Sequence, residues 1–164
     1  MPSLPALPRT FQDIPVTPRR LAVAMSLWPP YLASGVRVLR IEEDYSGATV
    51  SYRTRPWNVN YFGTAYGGTL FSMSDPFWAL LLSHRLGRRY VVLDAAAEID
   101  FVAVGRGELR TSFAIEPGLV EALHAEAEDG RKVLHWLTNE VTDASGQVVA
   151  RVRKQVYVRL RRGA

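Results

Sequence analysis

Gly67, Gly68 and Asp75 are the residues of this chain whose types and spacing best fit chemistry. The Gly-Gly pair heads an apolar helical segment. The first N–H groups of a helix have no partner within it, and two glycines leave no side chain to block approach, so such a helix start can hold negative charge. Asp75 follows seven residues after Gly68, inside a run that is apolar around its whole circumference, the pattern of a helix buried on all sides. A carboxylate there is costly to bury unless it is paired or put to work, and its chemical uses are those of a base or a nucleophile. The structural alternative is that Asp75 and Pro76 restart a kinked helix, Asp75 as N-cap and Pro76 as first residue, since Pro76 has no N–H for the carbonyl of Ser72.

The elements around this segment follow from periodicity. Five prolines in residues 1–18 make 1–16 an arm unsuited to helix or central strand. Residues 17–164 then form one domain, since 164 residues with 48% hydrophobic and 22% charged content suffice for a single core. Thr17 caps a short helix with Leu21, Ala24, Met25 and Trp28 on one face, ended by Pro29-Pro30. Residues 36–41 and 48–54 alternate as a strand pair, with Ala48, Val50 and Tyr52 on one face. The glycine loop and the apolar helix follow. Strands are then expected at 90–104, with Val91, Leu93, Ala95, Ala97, Ile99 and Phe101 on one face, and at 109–115. A short acidic helix ends near Gly130, and the hairpin 133–142/148–160 turns through AspAlaSerGly. No strand–helix alternation of the parallel kind and no internal repeat occurs, which points to an α+β fold with an antiparallel sheet on one helix.

Charge and composition exclude more than they assign. The net charge of +4 admits nucleic acid, membrane headgroups or phosphorylated small molecules as partners. The absence of cysteine removes disulfides, zinc–thiolate sites and a Cys nucleophile. His84, His124 and His135 lack ligand spacing, so no metal is expected. No GxSxG elbow and no GxGxxG or GxxxxGK[ST] loop is present. No apolar run approaches the roughly 20 residues of a membrane span, and a cytoplasmic protein is expected.

Four stretches carry a family resemblance: TrpProProTyrLeu (28–32), GlyThrAlaTyrGlyGlyThrLeuPheSerMetSerAspProPheTrp (63–78), AspAlaAlaAlaGluIleAspPhe (94–101) and the ending AspAlaSerGlyGlnValValAlaArgValArgLysGlnValTyrValArg (143–159). In this order the chain resembles the hotdog-fold acyl-CoA thioesterases, in particular their DUF4442 branch. The resemblance implies a sheet wrapped around a long central helix, here with an extra N-terminal helix. It also implies a dimer or dimer of dimers, and hydrolysis of an acyl-CoA or related thioester with coenzyme A as part of the substrate and no other cofactor. In the more distantly similar phenylacetate-type thioesterases a His-Gly-Gly triplet opens the central helix and an Asp lies seven residues after the second Gly. Gly67, Gly68 and Asp75 keep that spacing, and Tyr66 stands at the histidine position.

On that resemblance Asp75 is the catalytic base or nucleophile and the Gly68 N–H the oxyanion donor. Seven residues at 1.5 Å rise separate the two by roughly 10 Å along one helix, too far to address one carbonyl, so Gly68 of one subunit is expected to meet Asp75 of another. Asn60 and Thr64 could bind the acyl carbonyl or a water, or simply close their own turn. Tyr66, Gly67 and Trp78 could line the substrate path, whereas Phe71 is read as core. Arg106, Arg151 and Arg153 are candidates for the phosphates of coenzyme A. Against this, Arg151, Arg153, Arg159 and Arg161 share one strand face, and an outward charged face also serves solubility. Two rival readings are a non-catalytic acyl-CoA or fatty-acyl binding protein and, more weakly, a basic module holding an acidic partner.

Overall fold

The computed structural model describes residues 16–161. The proline-rich arm, apart from Val16, lies outside the described residues. Helix α1 (Pro18–Leu27) starts as its sequence dictates: the Thr17 hydroxyl accepts from the Arg20 N–H, and Pro18 sits where its missing N–H is harmless. Its buried face is Pro18, Leu21, Ala22 and Met25, rotated from the expected stripe, and Ala24 and Trp28 face outward. Pro29-Pro30 ends α1 but also opens α2 (Pro29–Ser34), because a fixed φ that breaks a helix interior suits a helix start.

Strands β1 (Val36–Ile41) and β2 (Gly47–Arg53) pair antiparallel, Val38 opposite Val50. The Ser26 hydroxyl of α1 accepts from the Val38 N–H at 3.0 Å, so α1 satisfies part of the open edge of β1. The central helical segment comes next in two pieces, α3 (Gly67–Ser72) and α4 (Phe77–Leu86), joined by a turn at residues 73–76. It is followed by β3 (Tyr90–Phe101), β4 (Glu108–Ala114), α5 (Leu119–Ala127), β5 (Val133–Asp143) and β6 (Val148–Leu160). The six strands form one antiparallel sheet in the order β1-β2-β4-β5-β6-β3.

Leu70, Met73, Phe77, Leu81 and Leu82 of the helical segment are buried with Val50, Tyr52, Leu109, Val141, Val156 and Val158 of the sheet. Each such side chain contributes about 1.5–3 kcal/mol by leaving water, so this layer holds the helix on the sheet. Strand β4 pairs with β5 over only three residues, Leu109 to Thr111. Beyond that point Phe113 turns to Phe77 and Trp78, with ring centroids 4.9 and 5.2 Å apart.

Strand β3 departs from regular alternation. A bulge between Asp94 and Ala96 takes up one residue, so Asp94 lies opposite Val156 while Ala97 lies opposite Lys154. The single face expected for Val91 through Phe101 is therefore broken. Ala97, Ile99 and Phe101 share the inward side with Val92 and Asp94, and Val91 and Leu93 do not. Period-two reading cannot see an inserted residue, because the insertion shifts every later side chain to the opposite face.

Candidate functional site

The loop before α3 is held by two asparagines. Asn58 is buried; its Oδ1 accepts from the Arg55 N–H at 2.7 Å and its Nδ2 donates to the carbonyls of Ser34 and Arg53. Asn60 accepts at Oδ1 from the N–H groups of Phe62 and Thr64, and its Nδ2 donates to Thr64 Oγ1 and to the Ala65 carbonyl. The side chains of Asn60 and Thr64 thus close this turn, their structural role. Arg106 reaches the same loop, donating to the Gly63 carbonyl at 2.9 Å.

That loop delivers the chain to α3 at Gly67. The first helical bonds run from the Thr69 and Leu70 N–H groups to the Tyr66 carbonyl, and the N–H groups of Gly67 and Gly68 donate to nothing among the described residues. At both glycines an exposed aromatic ring packs close against the backbone. A Cβ on Gly67 would stand 2.8 Å from the Phe101 ring, and one on Gly68 would stand 2.6 Å from the Tyr66 ring. Tyr66, 57% exposed, therefore lies over the donor end of the helix.

Asp75 sits in the turn between α3 and α4. It does not cap α4: the N-cap is Pro76, with no side-chain bond, and the Leu80 N–H donates to the Pro76 carbonyl. Its Oδ1 instead accepts from Lys154 Nζ at 2.6 Å. Lys154 comes from β6, is 2% exposed, and also meets Asp94 Oδ2 at 2.8 Å, with its ammonium 5.3 Å from the centre of the Phe71 ring. Burial pulls the Lys154 pKa down, but the hydrogen bonds and charges of Asp75 and Asp94 outweigh it and hold the group above the ordinary lysine value. Burial, aided by the charge of Asp75, pushes Asp94 up against the pull of Lys154. The Asp75 side chain stays 50% exposed, so one face of the carboxylate remains open.

The carbonyl that Pro76 cannot reach has another donor. Tyr31, fully buried, donates its hydroxyl to the Ser72 carbonyl at 2.9 Å. Burial, and secondarily the Asp75 charge, push the Tyr31 phenol above its usual range, so it acts as a neutral donor. Behind the same turn, buried Asn139 of β5 donates to Ser74 Oγ and Thr111 Oγ1 and accepts from the Trp78 indole N–H. Trp78, 3% exposed, belongs to this interior network and to the packing around Phe113.

Asp75, with Lys154 and Asp94, and the Gly67/Gly68 donors stand at the two ends of α3, six residues long, which at 1.5 Å per residue keeps them on the order of 10 Å apart. Arg151 and Arg153 lie on the outer face of β6, opposite in parity to Lys154. Arg151 pairs with Glu140 at 2.8 Å; Arg153 pairs with Glu98 at 2.9 Å and covers Trp136. Both are already neutralised by carboxylates. Sequence reasoning missed Lys154, Asp94 and Tyr31. A signal existed for Lys154 alone: Val152, Val156 and Val158 make the inward set of β6, and Lys154 is the cation at that parity. Asp94 was hidden by the bulge, and nothing local in the sequence of Tyr31 points at Ser72.

An antiparallel sheet curved over a central helical segment, with an added N-terminal helix, is the hotdog fold. The chain belongs to the DUF4442 family: the model described as "Domain of unknown function (DUF4442)" matches residues 18–158. Among solved structures, it is similar to a protein of unknown function from Pseudomonas aeruginosa described as a probable thioesterase, with 22% identity, 88% of this chain and 97% of that chain covered, and a TM-score of 0.78. A thioesterase from Haemophilus influenzae matches at 12% identity over 88% of this chain and 92% of its own, TM-score 0.65. The PaaI protein of the Escherichia coli phenylacetic acid degradation operon matches at 16% identity over 87% and 92%, TM-score 0.58. At these identities the likeness establishes the fold. No curated protein sequence matches the chain. No helix among the described residues is long and apolar enough to cross a membrane.

Proposed function

We propose that this protein hydrolyses an acyl-CoA or related thioester in the cytoplasm, in a site shared by two subunits of a homodimer or dimer of dimers. The observation that carries the reading is the half-exposed Asp75 carboxylate, fixed on one oxygen and open on the other in the turn between α3 and α4. In this site the thioester carbonyl oxygen lies against the Gly68 N–H of one subunit, beside Gly67, where no acceptor competes. Asp75 of the other subunit takes a proton from water as the water oxygen bonds to the carbonyl carbon. Collapse of the tetrahedral intermediate breaks the C–S bond and releases a carboxylic acid and the thiol. In the covalent variant Asp75 itself attacks, and water then cleaves the anhydride. The names of the similar Pseudomonas and Haemophilus proteins agree with this chemistry.

The open edge of β3 supports the shared site. Residues 94–98 are exposed on both faces, together with Leu93 and Phe101, in a strand bonded on one side only. A second β3 would cover such an edge. Arg106, beside the loop, is the better placed of the arginines to meet a substrate phosphate, since Arg151 and Arg153 are paired.

The test is hydrolysis of acyl-CoAs of graded chain length by wild type and Asp75→Asn. Loss of a general base should lower kcat by about 100-fold or more. Full hydrolysis by the variant would remove Asp75 from the chemistry. The Tyr66 ring over Gly68 favours a second reading, a non-catalytic acyl-CoA binding protein, and binding of the panel by wild type without turnover would establish it. Oxygen-18 water in a single turnover separates base from nucleophile, because only an anhydride route places label in the Asp75 carboxylate.

A further inference from the structure

We propose that Lys154 is the positioning residue of Asp75: it holds Oδ1 from inside the sheet and leaves Oδ2 open for chemistry, while Asp94 anchors the ammonium from β3. The proposal rests on the reading of Asp75 as base or nucleophile. Two irregularities converge on one nitrogen. The inward face of β6 is otherwise Ala150, Val152, Val156 and Val158, and a fifth apolar residue at 154 would satisfy the fold. A lysine there is explicable only through its partners, since a buried ion pair is weak support for stability compared with an apolar replacement. The β3 bulge, in turn, is what brings Asp94 to the lysine side.

The contacts use the whole ammonium group. Its three N–H bonds have three directions to serve: Asp75 at 2.6 Å, Asp94 at 2.8 Å and the face of Phe71. A cation with one partner could rotate with it, whereas a cation anchored from β3 holds Asp75 in one place. Two carboxylates around one ammonium give Asp75 a counter-charge held in place by Asp94. The groups facing Lys154 are Asp75 from the α3–α4 turn, Asp94 from β3 and Phe71 from α3, and its cross-strand neighbours are Ala97 and Leu137. Tyr31 of α2 adds a neutral hydroxyl at the Ser72 carbonyl.

The test uses the full chain with Lys154→Met/Asp94→Asn, which removes the cation together with the carboxylate it would strand, alongside Lys154→Arg and Lys154→Gln. The double variant should lower kcat on acyl-CoA roughly 100-fold through misplacement of Asp75, with KM nearly unchanged. Lys154→Arg should recover much of the lost kcat. A folded double variant with wild-type kcat would overturn the proposal. If wild type hydrolyses none of the panel, the thioesterase reading fails, and the carbon-13 chemical shift of the Asp75 carboxyl at neutral pH decides the pairing alone: a changed shift in Lys154→Gln supports it, an unchanged one sinks it. Should the double variant not fold, Lys154→Gln, which keeps two donors and loses the charge, gives the same comparison of kcat with KM.

Discussion

Lys154 and Tyr31 tie the pH dependence of stability to the site. Both bind their protons more tightly folded than unfolded, Lys154 through Asp75 and Asp94, Tyr31 through burial. The stability they contribute is fully present below the ordinary values of 10.5 and 10.0 and is lost as pH rises through the higher folded values. Urea midpoints should therefore hold steady up to about pH 9 and fall steeply above pH 10. Tyr31→Phe should shallow that fall while lowering the unfolding free energy at neutral pH by about 1 kcal/mol, the worth of the bond to the Ser72 carbonyl. A midpoint that is flat from pH 9 to 11 would contradict both assignments. Asp75 has two structural explanations to choose between on sequence alone, cap or paired group, and the geometry selects the second.

The elements that hold the site meet through a few buried polar groups. Asn139 bridges the α3–α4 turn, β4 and β5 by way of Ser74, Thr111 and Trp78. Asn139→Ala would leave the Trp78 indole N–H and Thr111 Oγ1 without a partner, Ser74 keeping its bond to the Leu70 carbonyl, and a loss of about 2–3 kcal/mol in denaturant unfolding is expected, against less than 1 kcal/mol for a typical surface substitution. Gly35 is the second such point. It takes φ +77° at the end of α2, and a Cβ there would stand 2.6 Å from Asn58 Nδ2. Gly35→Ala should cost about 1–2 kcal/mol from the backbone alone, with further loss as Asn58 is displaced from the Ser34 and Arg53 carbonyls. Equal stability of Gly35→Ala and wild type would show that this junction is softer than its contacts imply. The glycine loop is thus a rigid platform for α3, built by Asn58 and Asn60 from within.

At the scale of the whole molecule, the open edge of β3 is where assembly is expected. Its open edge, exposed on both faces at residues 94–98, predicts a dimer through that strand. Ala96→Lys places a charge in the middle of the edge, an ordinary device against strand pairing. In sedimentation this variant should run as a monomer, and if the site is shared it should lose hydrolysis although Asp75, Lys154 and Gly68 are intact. A dimeric and fully active Ala96→Lys would move the interface elsewhere. The acidic helix α5 packs Val120, Leu123 and Ala127 into the core and contacts α4, β5 and β6, away from that edge.

Local signals in the sequence sufficed for the Thr17–Pro18 start of α1, the β1–β2 pair and the Asp143–Gly146 turn, whereas Asp75, expected within one helix, lies in the turn between α3 and α4. Each depends on periodicity, capping or turn chemistry within a few residues. Asp75 could be recognised as needing a partner, because an acid in an apolar run is costly wherever it folds. Which partner it has was decided only in three dimensions. Lys154 lies 79 residues along the chain, and Asp94 faces it because one residue is inserted in β3. Periodicity carries no information about an insertion or about which strands become neighbours in the sheet, so the identity of the group that holds Asp75 belongs to the tertiary structure.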